Sequence, residues 1–203
     1  MRSNPPMEIT NLQTCRKKYG VLYMDPPWLF NTWSKKGEVK APQSHYACLS
    51  FKELEKLSIS NVTLEDCALF LWVIDPLLPQ ALRLIEAWGF KYKTVAFYWV
   101  KLNKRAIANR FDYFMGLGFW TRGNPEQCLL ATRGSPKPLT RKIRKLIVEP
   151  VREHSRKPDC VRSYIEKLVD GPYLELFARQ SGIPNWDCFG NELTNQTQNS
   201  LFS

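Results

Sequence analysis

The stretch Tyr19–Trp28, YGVLYMDPPW, is a short apolar run that ends in an acid, two prolines and a tryptophan. An apolar run bounded by a turn signal predicts a buried strand, whose carboxyl end would place Asp25 in a loop. Further along the chain, strand-like and helix-like segments alternate, which predicts an α/β fold with a mostly parallel sheet and helices on both faces. Ligands of such sheets bind beyond the carboxyl ends of the strands, so Asp25 has the position expected of a functional residue.

Five more strands and three helices are predicted outward from this stretch. The strands are expected at Cys67–Val73, Tyr92–Lys101, Gln127–Thr132, Ile143–Val148 and Tyr173–Phe177, and the helices from Phe51, over 77–88 and over 161–169. Ser50 and Glu53 have the spacing of a capping box, which fixes the start of the first helix. Gly89 follows the second helical pattern as a C-terminal stop.

Length and composition predict one domain of a globular protein. The chain has 203 residues, of which 44% are hydrophobic, and no apolar run is long enough to span a bilayer. The N-terminus lacks the apolar core of a secretory signal, so we expect a cytoplasmic protein that makes no membrane contact. We expect a single domain over residues 19–193, preceded by an unassigned segment, 1–18, and followed by a polar tail, 194–203.

The cysteine and histidine content argues against a metal site. Six cysteines are scattered without a CxxC pair, which favours reduced thiols in a cytosolic protein over disulfides or zinc. His45 and His154 are the only histidines, and they cannot complete a metal site with cysteines so placed. The sequence therefore predicts a protein that binds no metal.

Positive charge is concentrated in one part of the chain. The formal net charge is +10, and ten basic residues lie between Arg133 and Arg162 against three acidic ones. The basic residues are Arg133, Lys137, Arg141, Lys142, Arg144, Lys145, Arg152, Arg156, Lys157 and Arg162. Such a run can be a solvated face, or it can serve a polyanionic partner such as nucleic acid.

The sequence Asp25-Pro26-Pro27-Trp28 suits one kind of chemistry. The exocyclic amine of adenine is a poor nucleophile, and a carboxylate and a backbone carbonyl that each accept one N–H would favour a pyramidal nitrogen. Prolines have no N–H to compete and their fixed φ orients the neighbouring carbonyls, while Trp28 could stack on the base. Positioning of the amine for in-line transfer of a methyl group would supply most of the rate enhancement. The alternative is a rigid turn with Trp28 in the core.

The chain resembles the methyltransferase A-70 family, adenine N-6 methyltransferases whose small single-domain members occur in bacteria and phages. The matching segments, in order, are YMDPPW, the His45-Tyr46 pair, FLWV at 70–73, AWGF at 87–90, FYWVK at 97–101, PEQCLLATRG at 125–134, REHSRKPD at 152–159, YLELFAR at 173–179 and NWDCFGNEL at 185–193. The resemblance implies a Rossmann-like class I methyltransferase fold. It also implies a permuted order, in which the catalytic motif precedes the cofactor-binding strand.

The resemblance further implies a set of cofactor-binding residues for S-adenosylmethionine. Asp25 would meet both the target amine and the amino group of the cofactor, and Lys157 would pair with its methionine carboxylate. The remaining contacts are expected from Phe177 at the border of the cofactor, Arg179 at the ribose, and Asn191 and Glu192 at the adenosine. Ser181 and Gly182 stand where relatives place ribose-binding residues, and no role is transferred to them.

The substrate side is expected in residues 29–49 and 102–124, which combine basic and aromatic residues. By resemblance, Tyr46 and Glu126 would approach the target base, and Trp120 belongs to the same aromatic set. An adenine within a duplex must be flipped out of the stack before it can react. We expect no appended reader domain, so these loops, a second copy or a partner would provide sequence selectivity.

Three readings of the function stay open at this point. The favoured one is methylation of adenine in nucleic acid, with DNA preferred over RNA because the compact form resembles prokaryotic members, and with a homodimer expected from relatives. The second is a non-catalytic nucleic-acid-binding subunit, although such members lose the motif that Asp25 begins here. The third is methylation of another planar nitrogen, such as a glutamine amide in protein or cytosine.

Overall fold

The fold is known from a computed structural model that describes residues 12–29, 48–105, 112–118, 120–153, 156–190 and 193. Its strands are β1 (Tyr19–Met24), β2 (Thr63–Val73), β3 (Lys91–Leu102), β4 (Glu126–Arg133), β5 (Leu146–Pro150), β6 (Tyr173–Leu176) and β7 (Trp186–Phe189). Its α-helices are α1 (Phe51–Glu55), α2 (Leu78–Ala87) and α3 (Cys160–Leu168), and short 3-10 helices cover Ile59–Val62 and Asp75–Leu77.

The strands of the described residues form one seven-stranded sheet in the order β5-β3-β4-β2-β1-β6-β7. The pairings β1–β2, β1–β6, β3–β5 and β6–β7 are parallel, and only β4 runs antiparallel to its neighbours β2 and β3. Six strands therefore end at the same edge, which we call the carboxyl edge, and β4 begins there. The prediction of a mostly parallel sheet is confirmed, with β4 as the exception.

Each face of the sheet is covered by helices. On one face, α1 and α2 contribute Leu54, Leu84 and Ile85 to a core that includes Leu22 and Met24 of β1. On the other face, Val161 and Ile165 of α3 pack with alternate residues of the same strand. All six residues of β1 are buried, as expected of a central strand of a parallel sheet that has both faces covered. The two-faced arrangement predicted from the sequence is thus confirmed.

Local signals account for the helix ends. The hydroxyl of Ser50 accepts a hydrogen bond from the Glu53 backbone N–H, and the Glu53 carboxylate accepts one from the Ser50 backbone N–H. This reciprocal capping box starts α1 at Phe51, as predicted. At the end of α2, Gly89 takes a φ of 80°, a left-handed conformation that glycine adopts without steric cost.

Two strand predictions need correction. The fifth strand was expected over Ile143–Val148, but β5 covers Leu146–Pro150, because Ile143 packs on the α3 face before the strand begins. The seventh strand, Trp186–Phe189, was not predicted at all. It has four residues with one charged residue among them, so no clear alternation marks it, and its pairing with β6 is a tertiary effect.

All six cysteines lie in the described residues as free thiols. Cys67, Cys128 and Cys188 are buried, whereas Cys15, Cys48 and Cys160 are partly accessible. Within the described residues, no helix is both long and apolar enough to cross a membrane.

Candidate active site

The sheet places Asp25 at the carboxyl edge, at the end of an interior strand. Met24, the last residue of β1, is paired with Leu71 of β2 on one side and with Leu176 of β6 on the other. Asp25 follows directly, and its side chain is 25% exposed, so it can be reached from outside the core. This is the crevice beyond the strand ends in which α/β sheets bind ligands.

A set of backbone hydrogen bonds holds the Asp-Pro-Pro-Trp turn. The Trp28 N–H donates to the Pro26 carbonyl at 2.8 Å, and the Leu49 N–H donates to the Pro27 carbonyl at 2.8 Å. The Trp28 indole donates to the carbonyl of Trp72 at 3.0 Å, and its side chain belongs to the core with only 9% exposure for the residue. The turn is therefore rigid, and Trp28 has a packing role. Stacking of a base on this ring stays a prediction.

Lys157 lies beside Asp25 although 132 positions separate them in the chain. Its ammonium donates to Asp25 Oδ2 at 2.8 Å and lies 3.2 Å from Glu126 Oε2. Its side chain is 9% exposed and packs over the ring of Trp72 at 5.6 Å. The loop between β5 and α3 carries Lys157, so the lysine reaches the carboxyl edge from the α3 side of the sheet.

Glu126 and Lys101 extend this pairing into an alternating row of charges. Because β4 runs in the reverse direction, its first residue, Glu126, reaches the carboxyl edge and is buried there. Lys101, near the end of β3, donates to Glu126 Oε1. We call Lys101, Glu126, Lys157 and Asp25 the buried charge cluster. It contains two cations and two anions, so their charges balance.

The pKa values within the buried charge cluster follow from burial and pairing. Burial alone would lower the pKa of Lys157, but the carboxylates of Asp25 and Glu126 outweigh it and raise the pKa above its usual value. Burial alone would raise the pKa of Glu126, but Lys157 and Lys101 together hold it below its usual value. Both groups are therefore charged at neutral pH.

The carboxyl end of β6 adjoins this cluster with an unusual backbone. Phe177 has a φ of 61°, a conformation that costs a non-glycine residue about 1–3 kcal/mol. The next residue, Ala178, donates its N–H to the Phe189 carbonyl at 3.0 Å. A Cβ on Gly190 would overlap the Ala178 backbone, so only glycine permits this approach of the two strand ends. Strain held in place by such contacts is common at functional sites.

The structure brings together some of the expected site residues. Asp25, Lys157 and Glu126 are in contact, and Phe177 and the half-buried Arg179 follow β6, the neighbour of β1. Glu126 was expected at the target base, and its contacts in the structure are with the two lysines. Trp120 is 93% exposed on the connection between β3 and β4. Tyr46, Asn191 and Glu192, as well as residues 30–47 of the expected substrate side, lie outside the described residues.

Part of the basic run is neutralised by acids. Asp159 accepts hydrogen bonds from Arg152 and Arg156, and Arg162 makes a two-point ion pair with Glu175 at 2.6 and 2.9 Å. The positive charge of these arginines is therefore partly offset by acids that they contact, which the sequence count could not reveal. Within the described ranges, no group of three or more His, Cys, Asp or Glu could hold a metal ion.

Sequence reasoning missed the contribution of Lys101. It stood in the quoted FYWVK segment, but no role was given to it. A lysine near the end of a strand with buried apolar residues indicates an ion pair or an exposed strand end, since its charge must contact a partner or water. Here the partner is Glu126.

The sheet, the helices on both faces and the Asp-Pro-Pro-Trp turn at the carboxyl edge are those of a class I methyltransferase. A comparison with protein families matches the MT-A70 family over residues 19–192. The chain belongs to this family.

Individual relatives agree with the family match. The chain is similar to the type II methyltransferase M.MunI of Mycoplasma sp, with 32% identity over 93% of this chain and 83% of the relative. It is also similar to the N(6)-adenosine-methyltransferase catalytic subunit METTL3 of Homo sapiens, with 31% identity over 87% of this chain. The N(6)-adenosine-methyltransferase MT-A70-like protein of Drosophila melanogaster likewise shares 31% identity over 87% of this chain. The chain spans only 28% of the human relative and 27% of the fly relative.

Proposed function

We propose that this chain transfers a methyl group from S-adenosylmethionine to the exocyclic N-6 amine of adenine in DNA. Adenine N-6 methylation of nucleic acid is the activity of the MT-A70 family, to which the chain belongs. The observation that carries the proposal is the accessible Asp25 carboxylate, fixed at 2.8 Å from a buried lysine at the carboxyl edge of the sheet.

The residues at this edge fit the amino-acid part of S-adenosylmethionine. That part is a zwitterion, and Asp25 and Lys157 present an anion and a cation 2.8 Å apart. Asp25 would receive the α-ammonium group and Lys157 the α-carboxylate, while Lys157 keeps its contact with Asp25 Oδ2. Phe177 and Arg179 follow the adjacent strand β6 and would hold the nucleoside part, together with Asn191 and Glu192. When bound, S-adenosylmethionine supplies an electrophilic methyl group.

The chain's own residues would prepare the amine. Lys157 binds Asp25 Oδ2 and so fixes the plane of the carboxylate, which can accept an N–H of the target amine. Pro26 and Pro27 have no N–H that could compete with the target amine for an acceptor. The carbonyls of both prolines accept the hydrogen bonds that hold the turn. A carbonyl oxygen has two lone pairs, so the carbonyls of the turn retain the capacity to accept a second N–H. The amine loses one proton as it gains the methyl group, and the partly exposed Asp25 carboxylate, which accepts its N–H, can pass that proton to water. No protein nucleophile is needed.

The choice of DNA rests on the alignment with the type II methyltransferase from Mycoplasma, which spans 93% of this chain and 83% of the relative. The alignment with the human N(6)-adenosine-methyltransferase catalytic subunit spans 87% of this chain and 28% of that relative. A single domain over residues 19–193, a homodimer and a cytoplasmic location are parts of the same proposal, from the sequence and the family resemblance.

The proposal is tested by transfer of a radiolabelled methyl group to plasmid DNA, to RNA transcribed from it and to a bulk protein mixture. We expect label in DNA alone, at the adenine N-6 position, and a loss of at least about 100-fold with Asp25→Asn, because the amine then loses an anionic acceptor. Asp66→Asn is the matched control, since Asp66 is an exposed acid at the amino end of β2 and binds the Ser135 N–H. Label in RNA or protein alone, or equal labelling by Asp25→Asn, would refute the proposal.

Binding of the cofactor can be tested without a substrate. Calorimetric titration of S-adenosylmethionine should show affinity reduced at least about tenfold by Lys157→Ala, since a charge-assisted contact is lost. Arg179→Ala is a second variant, because it leaves the buried charge cluster intact. Unchanged affinity in both variants would contradict the proposed cofactor site.

A further inference from the structure

The connection between β3 and β4 leaves the sheet at the carboxyl edge, beside the buried charge cluster. Its returning part adds to the end of β3: the Phe114 N–H donates to the Lys101 carbonyl at 2.9 Å, and Tyr113 bridges Leu102. Further out, the Gly116 N–H donates to the Gly123 carbonyl at 2.8 Å, which closes a hairpin. We call residues 112–118 and 120–124 the finger.

Asn124 ties the base of the finger to the site. Its amide accepts from the Lys101 N–H at 3.1 Å and donates to the Lys101 carbonyl at 2.8 Å and to the Phe114 carbonyl at 2.5 Å. Lys101 in turn holds Glu126 of the buried charge cluster. The finger therefore begins at a fixed position relative to Asp25, three strand spacings or about 14 Å across the sheet.

The finger carries large apolar side chains that are exposed. The exposed fractions are 53% for Tyr113, 70% for Met115, 47% for Leu117 and 93% for Trp120. An exposed cluster of this kind next to a site marks a binding surface, because burial of these groups against a partner removes apolar area from water. The charged residues near these side chains indicate the kind of partner.

Basic residues flank the finger along the chain. Lys104 and Arg105 are exposed just before it, and Arg122 is exposed within it and donates to the Gly118 carbonyl at 3.0 Å. The acid of this part, Asp112, already accepts a hydrogen bond from the Asn103 amide at 2.7 Å. Apolar side chains within a positive rim fit a polyanion that offers stacked bases.

We propose that the finger is a wedge that enters duplex DNA beside the target adenine and occupies the space in the stack that the extruded base leaves. This inference rests on the proposed function, since an enzyme that extrudes a paired base must compensate for the lost stacking. Proteins that open or kink duplexes insert apolar side chains between base steps, and Trp120, the most exposed, is the leading side chain. The substrate is thereby duplex DNA rather than a single strand.

The test compares two duplex oligonucleotides that contain the adenine identified by sequencing of methylated plasmid. One is fully matched, and the other has an abasic site opposite that adenine, so that extrusion no longer breaks a base pair. Trp120→Ala should lower kcat/KM at least about tenfold on the matched duplex and less than about threefold on the abasic duplex. Tyr92→Ala is the matched control, because Tyr92 is an exposed aromatic residue at the opposite end of β3.

Thermal melting of wild type, Trp120→Ala and Tyr92→Ala is measured first, so that activities are compared between folded proteins. An equal loss on both duplexes, or no loss on either, would overturn the wedge. A change from dimer to monomer in sedimentation, with equal loss on both duplexes, would assign the finger to a protein interface instead and would also overturn it. Failure of the proposed function is a distinct result, because the wild type would then methylate neither duplex.

Discussion

Arg156 and Lys157 are neighbours in the sequence, but the fold gives them different environments. Arg156 reaches outward and pairs with Asp159 at 2.8 Å, and both side chains are more than 40% exposed. Lys157 points into the carboxyl edge and contacts Asp25 and Glu126, with 9% of its side chain exposed. One cation thus belongs to a surface ion pair and the other to the buried charge cluster. Their comparison shows that burial, more than the charge itself, decides what a charged residue contributes.

The physical reason is the cost of removing a charge from water. A surface pair gains little, because water and salt screen it and two long side chains must be held in place. A buried cluster has lost its hydration, so each member depends on its partners, and removal of one leaves an uncompensated charge. Substitutions at Lys157, Glu126 and Arg156 separate these two cases.

Removal of the central cation of the buried charge cluster should have the largest effect. Lys157→Met leaves Asp25 and Glu126 without their shared partner, and the free energy of unfolding should fall by about 3–5 kcal/mol. Urea denaturation at pH 7 measures this. Lys157→Met combined with Glu126→Gln should recover part of the loss, because a buried negative charge is then removed. If Lys157→Met unfolds at the same urea concentration as wild type, the buried charge cluster does not contribute to the free energy of unfolding as described.

Replacement of one anion of the cluster should have a smaller, pH-dependent effect. Glu126→Gln keeps the shape but removes the charge between Lys101 and Lys157, and should cost about 2 kcal/mol at pH 7. The folded pKa of Glu126 is lowered, so its stabilisation is complete above the unfolded pKa of about 4.3 and is lost as the pH falls through the folded pKa. The difference in the free energy of unfolding between wild type and Glu126→Gln should therefore become smaller below about pH 4.3. Urea denaturation from pH 7 to pH 3 measures it, and a constant gap would contradict the assignment.

Removal of the surface cation should have the smallest effect. Arg156→Ala breaks an exposed ion pair with Asp159, but Asp159 keeps Arg152 as a partner. We therefore expect the free energy of unfolding to change by less than about 0.5 kcal/mol. Methyl transfer should stay within about twofold of wild type, because the guanidinium makes its described contacts away from Asp25. Urea denaturation and the radiolabel assay measure the two quantities. A loss as large as that of Lys157→Met would erase the distinction between the two environments.

The sequence was sufficient for much of the fold because several signals are local. The capping box at Ser50 and Glu53, the stop at Gly89 and the apolar run of β1 depend on residues a few positions apart, and each is found as predicted. Neither β7 nor the start of β5 is fixed locally. The strand Trp186–Phe189 is short and forms because β6 offers a free edge, and Ile143 was assigned to a strand although it packs beneath α3.

In the site, too, the features that depend on local sequence could be predicted and those that depend on tertiary contacts could not. The position of Asp25 at a strand end could be predicted, since apolar patterning marks β1 and the prolines mark its end. The partners of Lys157 could not, because the pairing spans 132 positions in the chain and depends on the order of the strands in the sheet. The same limit applies to the basic run, in which Arg162 is bound to Glu175 on β6.

The reversed direction of β4 has a consequence for how this scaffold can change. Because β3 and β4 are antiparallel neighbours, their link turns back at the carboxyl edge, and none of its described residues is buried in the core. Doubling the length of such a link costs only about 0.6 kcal/mol in closure entropy. Exchange of this one segment between homologous enzymes would therefore be the simplest route to a new target preference, since the catalytic framework would not need to be redesigned.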